Sequence, residues 1–133
     1  MVDTWQPGIE TSTIDNAAIK QLALAALQAE SIGNAIDGLS AEQKQQVANW
    51  LKQPAALWQP VFEDLNEDEQ RALCELFTVG EMKISDWLCG AKNPTIILLR
   101  VMKQQNRYPE KDFIRKLKKL TDNRYIPYGD ALG

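Results

Sequence analysis

Between residues 14 and 36, apolar side chains recur three and four positions apart: Ala18, Leu22, Ala25, Ala29, Ile32 and Ile36. A strand needs a repeat of two, whereas this spacing winds one stripe along a helix of about six turns. Gly33 interrupts the stripe at about 1 kcal/mol relative to alanine, so any break is expected there. Gly38 suits the left-handed position that closes a helix. Ser40 followed by Gln43 forms a capping-box pattern that opens a second helix over 41–52. With only Gly38-Leu39-Ser40 between them, the two helices should fold back as an antiparallel hairpin, 14–53. The many alanines of the stripe let a neighbouring helix approach closely, either within the chain or in a second copy. A homo-oligomer through this Ala-rich first helix is one expectation.

Downstream, cap signals recur at short intervals. Pro54 and Pro60 predict short helical pieces over 54–65, with Pro60 near a first turn and Trp58, Val61, Phe62 and Leu65 inward. Asn66 with Glu69 opens a helix whose inner face is Leu73, Leu76 and Phe77. Gly80 is expected to end that helix or start a second piece carrying Ile84, Trp87 and Leu88, which Gly90 terminates. Asn93-Pro94 starts a central helix through Gln105. Pro109 opens a final amphipathic helix over 110–121, with Phe113, Ile114, Leu117 and Leu120 on its apolar face. The fold class predicted is all-α: a single-domain bundle of about six or seven helices opened by the hairpin. Residues 1–13 fit no period and read as an irregular arm with Trp5 packing on the body; 14–133 form one helical domain. The turn formers after Thr121, interleaved with Tyr125, Ile126 and Tyr128, predict a tail that packs back.

Several function classes are disfavoured by what the chain lacks. It has no histidine, the commonest general base and metal ligand. Cys74 and Cys89 have neither metal-binding spacing nor partners for a zinc set, and they read as inert thiols. The acids Glu63, Asp64, Glu67, Asp68 and Glu69 lack the alternation of a calcium loop and suit a helix N-terminus instead. The seven glycines are scattered, so no phosphate loop is present. We therefore expect no enzyme: no catalytic residues, no cofactor and no metal. The longest apolar run is too short to span a membrane, and no secretory leader pattern is visible, so a cytoplasmic location without membrane association is expected.

Charge is more informative. Residues 1–90 carry 5 Lys/Arg against 14 Asp/Glu, whereas residues 91–133 carry 10 against 4. The basic third supplies the candidate partner-binding residues Arg100, Lys103, Arg107, Lys111, Arg115, Lys118 and Arg124. Lys111, Arg115 and Lys118 recur at i, i+4 and i+7 and so share the polar face of the last helix. Such a face can neutralise an acidic partner, nucleic acid or protein. The competing explanation is internal pairing with the acidic body around Glu63 to Glu75, or a merely solvated helix face. Tyr108, Tyr125 and Tyr128 could stack on bases, though a core role is the simpler reading.

Two resemblances accompany these readings. The residues Gln70, Leu73, Cys74, Phe77 and Val79, followed by Ile84-Ser85, Trp87, Gly90 and Pro94, resemble the phage-repressor/Cro helix-turn-helix family. That implies a DNA-binding regulator whose recognition helix ends near Ile84-Ser85. Thr78 stands where the family has its turn glycine, and six acids against two cations over 67–90 are ill suited to a phosphate-lined groove. More broadly, Phe77-Thr78, Glu81-Met82, Trp87, Gly90, Lys92, Pro94 and the run Thr121-Asp122-Asn123-Arg124-Tyr125 with Pro127-Tyr128-Gly129 resemble a group of small uncharacterised proteobacterial proteins. This second likeness, over about Leu39 to Gly129, implies a soluble all-α bacterial protein and brings no activity with it.

Overall fold

The computed structural model describes residues 14–127. The expected arm with Trp5, and Tyr128 with Gly129, lie outside the described residues. Within them the chain is helical, with seven α-helices and no strand. In chain order these are α1 (Asn16–Gln28), α2 (Ile32–Asp37), α3 (Ala41–Trp50), α4 (Ala55–Glu63), α5 (Glu67–Lys83), α6 (Pro94–Gln104) and α7 (Lys111–Lys119). Two short 3-10 turns, Ser85–Trp87 and Gly90–Lys92, connect α5 to α6. No helix among the described residues is long and apolar enough to cross a membrane.

Most starts are those the caps specify. The Ser40 side chain accepts from Gln43 N at 3.0 Å while Gln43 accepts from Ser40 N at 2.8 Å. Asn66 and Glu69 repeat the arrangement at α5, and Asn93 caps α6 ahead of Pro94. The expected six-turn first helix is instead two helices. It breaks at Ala29 to Ser31 and not at Gly33, because the Ser31 hydroxyl accepts from Asn34 N and starts α2 afresh. Proline also behaves differently from expectation. One helix runs from Ala55 to Glu63 with Pro60 inside it. Pro60 and Ala56 are both exposed, and Pro60 removes the N–H that would have paired with the Ala56 carbonyl.

The long helix α5 is the hub: α1, α2, α6, α7 and the first 3-10 turn pack on it, and α6 also packs on α4. Gly80 does not end α5. The helix continues to Lys83, and Gly80 admits the Trp87 indole, which would lie 2.4 Å from an added Cβ. Trp87 is 1% exposed and donates from Nε1 to Lys44 O at 2.9 Å, joining α3 to the centre. Phe77, Trp58 and Phe62 continue this aromatic cluster toward α4. Leu88, next to the buried Trp87, is exposed. Buried polar atoms are paired across elements: Thr95 Oγ1 donates to Cys74 O at 3.0 Å and lies 3.1 Å from Thr78 Oγ1.

Candidate binding surface

The apolar face of α7 (Phe113, Ile114 and Leu117) is buried, which turns Lys111, Arg115 and Lys118 outward, all three exposed. Among the described residues, Arg115 pairs only with Asp112, one turn earlier on the same helix, at 3.6 Å. Lys111 and Lys118 have no ion pair among the described residues. At the end of α6, Arg100 and Lys103 line one groove together with Leu99, Tyr108 and Pro127. Both cations are exposed, and Tyr108 is 41% exposed and not the core residue that the simpler reading expected. Tyr125, by contrast, packs against the core.

Two of the predicted residues have other engagements. Arg107 turns back into the body. Asn106, in the left-handed region at φ 61°, closes α6, and the amide nitrogens of Asn106 and Arg107 donate to Lys103 O and Met102 O. That turn lets the Arg107 guanidinium donate to Leu65 O at 3.2 Å and to Gln70 Oε1 at 3.3 Å. Gln70 in turn donates to Phe62 O and Gln105 Oε1, so Arg107 completes a network tying α4, α5 and α6 together. Arg124 lies over the Tyr125 ring at 5.2 Å from its centroid. Internal pairing with the acidic body exists but uses other cations: Lys116 meets Glu75 at 3.3 Å, Lys20 meets Glu69 at 3.7 Å, Lys83 meets Asp37 at 3.1 Å, and Arg71 pairs with Glu110.

The segment that resembles a helix-turn-helix does not form one. The turn would fall at Thr78, but residues 67–83 are one uninterrupted helix, and 84–92 form only the two 3-10 turns. Glu81, within that segment, is 5% exposed. Its Oε2 accepts from the amides of Cys89 and Gly90, and its Oε1 accepts from the side-chain amides of Asn93 and Asn123. Asn123 also donates to Gly90 O, so one carboxylate fastens the 3-10 turns, the start of α6 and the C-terminal tail to α5. Burial pushes the Glu81 carboxyl up, but the hydrogen bonds from Gly90, Asn123, Asn93 and Cys89 outweigh it and hold the carboxyl below the usual range. A carboxylate so fully engaged has no lone pair left for a substrate proton, and its role is architectural.

Both thiols are shifted the other way. Burial, with Glu75 adding to it, drives Cys74 far above the usual thiol range. Burial and then Glu81 push Cys89 up to about 12. No cluster of three or more acids or cysteines among the described residues is arranged to hold a metal. Sequence reasoning missed two features: the Glu81 knot and an open cleft where α5 and α7 meet residues 26–32. The knot joins residues far apart in sequence, and the signal for the cleft was Leu27, an apolar residue that proves 47% exposed. No family model, no curated protein and no solved structure matches the chain.

Proposed function

We propose that this chain is a non-enzymatic binding protein that meets an acidic partner through the outer face of α7 and the cationic end of α6. One observation carries the reading. Four acids of the body, Glu69, Glu67, Asp37 and Glu75, pair with Lys20, Arg71, Lys83 and Lys116, while Arg100, Lys103, Lys111 and Lys118 stand exposed with no ion pair among the described residues. Arg115 joins them, because its exposed pair with Asp112 contributes little. Arg107 is left out of this surface, since its donors serve the α4–α5–α6 network.

The test uses the intact chain with labelled duplex DNA, single-stranded DNA and poly-glutamate. Neutralising about four phosphates gives a log–log salt slope of roughly −3.6 on duplex DNA and about −2.8 on a single strand. Replacing Lys111, Arg115 and Lys118 together by Gln weakens binding and flattens that slope, while thermal stability stays within about 0.5 kcal/mol. Loss of stability with unchanged binding would assign those residues to internal pairing. Tighter binding of poly-glutamate than of either DNA at matched salt would make the partner an acidic protein.

A further inference from the structure

The open cleft between residues 26–32, α5 and α7 has a volume of about 690 Å³. Its floor is small or apolar: Ala26, Ala29, Ile32, Ala72, Phe113 and Leu120. The three alanines leave space there that larger side chains would occupy. The Arg71 guanidinium, 4.7 Å from the Phe113 ring centroid, covers part of the floor and is itself held by Glu110. Leu27 stands at the edge, 47% exposed. Around this apolar centre the rim is charged, and unevenly. Arg71 and Lys116 are its two cations, and both are already paired, with Glu110 and Glu75. Glu30 and Asp68 remain exposed without an ion pair among the described residues. An apolar centre inside a polar rim is the anatomy of a protein interface, and the sign of its unmatched charges selects the partner.

We propose that this cleft seats a segment of a partner protein that carries an apolar side chain flanked by Lys or Arg. The apolar group enters between Ala29 and Phe113, and the flanking cations meet Glu30 and Asp68. An acidic segment is rejected there, because it would bring like charge against two carboxylates that have no ion pair among the described residues. This surface is distinct from the basic face of α7 and does not rest on the function proposed for it.

The experiment is fluorescence anisotropy of the full chain with a short labelled amphipathic peptide of Leu and Lys, and with a matched peptide of Leu and Glu. The Leu/Lys peptide should bind saturably and the Leu/Glu peptide should not. Ala26→Trp, which fills the cleft, and the double change Glu30→Lys with Asp68→Lys should each weaken binding by about tenfold or more. The double change alters only exposed side chains, so it keeps the test valid even where Ala26→Trp disturbs folding. Charge reversal at Glu42 and Glu63, exposed acids outside the cleft, should leave binding unchanged. Equal weakening by that remote reversal would reduce the effect to net charge and overturn the proposal, as would an absence of saturable binding. Sedimentation of the unliganded chain supplies the last arm. A dimer that dissociates on changing Glu30 and Asp68 would make a second copy of this chain the occupant and overturn the assignment to a different protein.

Discussion

Gly80 and Glu81 are neighbours in α5 that meet opposite demands, one for empty space and the other for hydrogen bonds. A methyl at Gly80 would meet the Trp87 ring at 2.4 Å, and the indole is fixed by its bond to Lys44 O. Gly80→Ala should therefore destabilise by about 1–3 kcal/mol despite alanine's better helix propensity. At Gly33 in α2 the nearest atoms to an added Cβ are 3.6 Å and 3.8 Å away, an ordinary contact. Gly33→Ala should stabilise by roughly 0.5 kcal/mol, so chemical denaturation should move the two midpoints in opposite directions. Glu81→Gln replaces an acceptor of four hydrogen bonds by an amide whose own N–H faces donors. We expect a loss of about 2–3 kcal/mol at neutral pH. Because the folded-state pKa of Glu81 lies below its unfolded value, near 4.3, its stabilisation is complete above that value. It is lost as pH falls from there through the folded pKa. The difference between wild type and Glu81→Gln should shrink below about pH 4. Urea titrations at neutral and acid pH measure it, and a constant gap would show that the carboxylate's ionisation is not what the knot depends on.

Among elements, the split first helix and the last turn of α6 carry most of the difference between expectation and structure. The 3–4 stripe runs unbroken through Ala29 and Ile32, so periodicity alone reads one helix. The chain breaks there because Ser31 offers a local side-chain partner to Asn34 N, and α1 and α2 then pack separately on α5. Ser31→Ala should cost about 1 kcal/mol. Part of the stripe serves the chain's own interior, since Ala18, Ala29 and Ile32 pack against the core and Leu22 and Ile36 lie within it, while Ala29 and Ile32 also line the open cleft. Arginine shows the same dependence on placement. Arg107→Gln removes donors from Leu65 O and Gln70 Oε1 and should cost about 1–3 kcal/mol, while Lys118→Gln should be neutral within about 0.5 kcal/mol. The two residues look alike in sequence; thermal melts of the pair would separate them.

For the molecule as a whole, the acidic two-thirds and the basic third are joined by a few specific ties and not by a general neutralisation. Arg71 to Glu110 and Lys116 to Glu75 link α5 to α7, and both lie beside the cleft. The two thiols differ in their burial. Cys74 is fully buried and Cys89 half-buried, with its pKa pushed up to about 12, so little thiolate exists at neutral pH. In the native state Cys89 should react with a disulfide reagent far more slowly than a free thiol, and Cys74 only at the rate of unfolding. Rapid labelling of both without denaturant would contradict the packing described for α5.

What the sequence by itself determined is local. Caps such as Ser40 with Gln43, Asn66 with Glu69, and Asn93 before Pro94 act within three residues. The apolar period acts within a helical turn, so the all-α class and most helix starts were legible. The outward face of α7 was legible for the same reason. What only the tertiary structure decided is the fate of groups whose partners are distant in the chain. Gly80 looks like a helix terminator until Trp87 arrives against its backbone. Glu81 looks like a surface acid until residues 89, 90, 93 and 123 converge on it. Arg107 looks like one more exposed cation until the left-handed turn at Asn106 aims it at α4 and α5. The cleft, too, exists only once α5, α7 and residues 26–32 are brought together. Periodicity reports which side of an element faces inward, but a hydrogen bond or a cavity depends on which element it faces, and the pattern of a single segment carries no record of its neighbour.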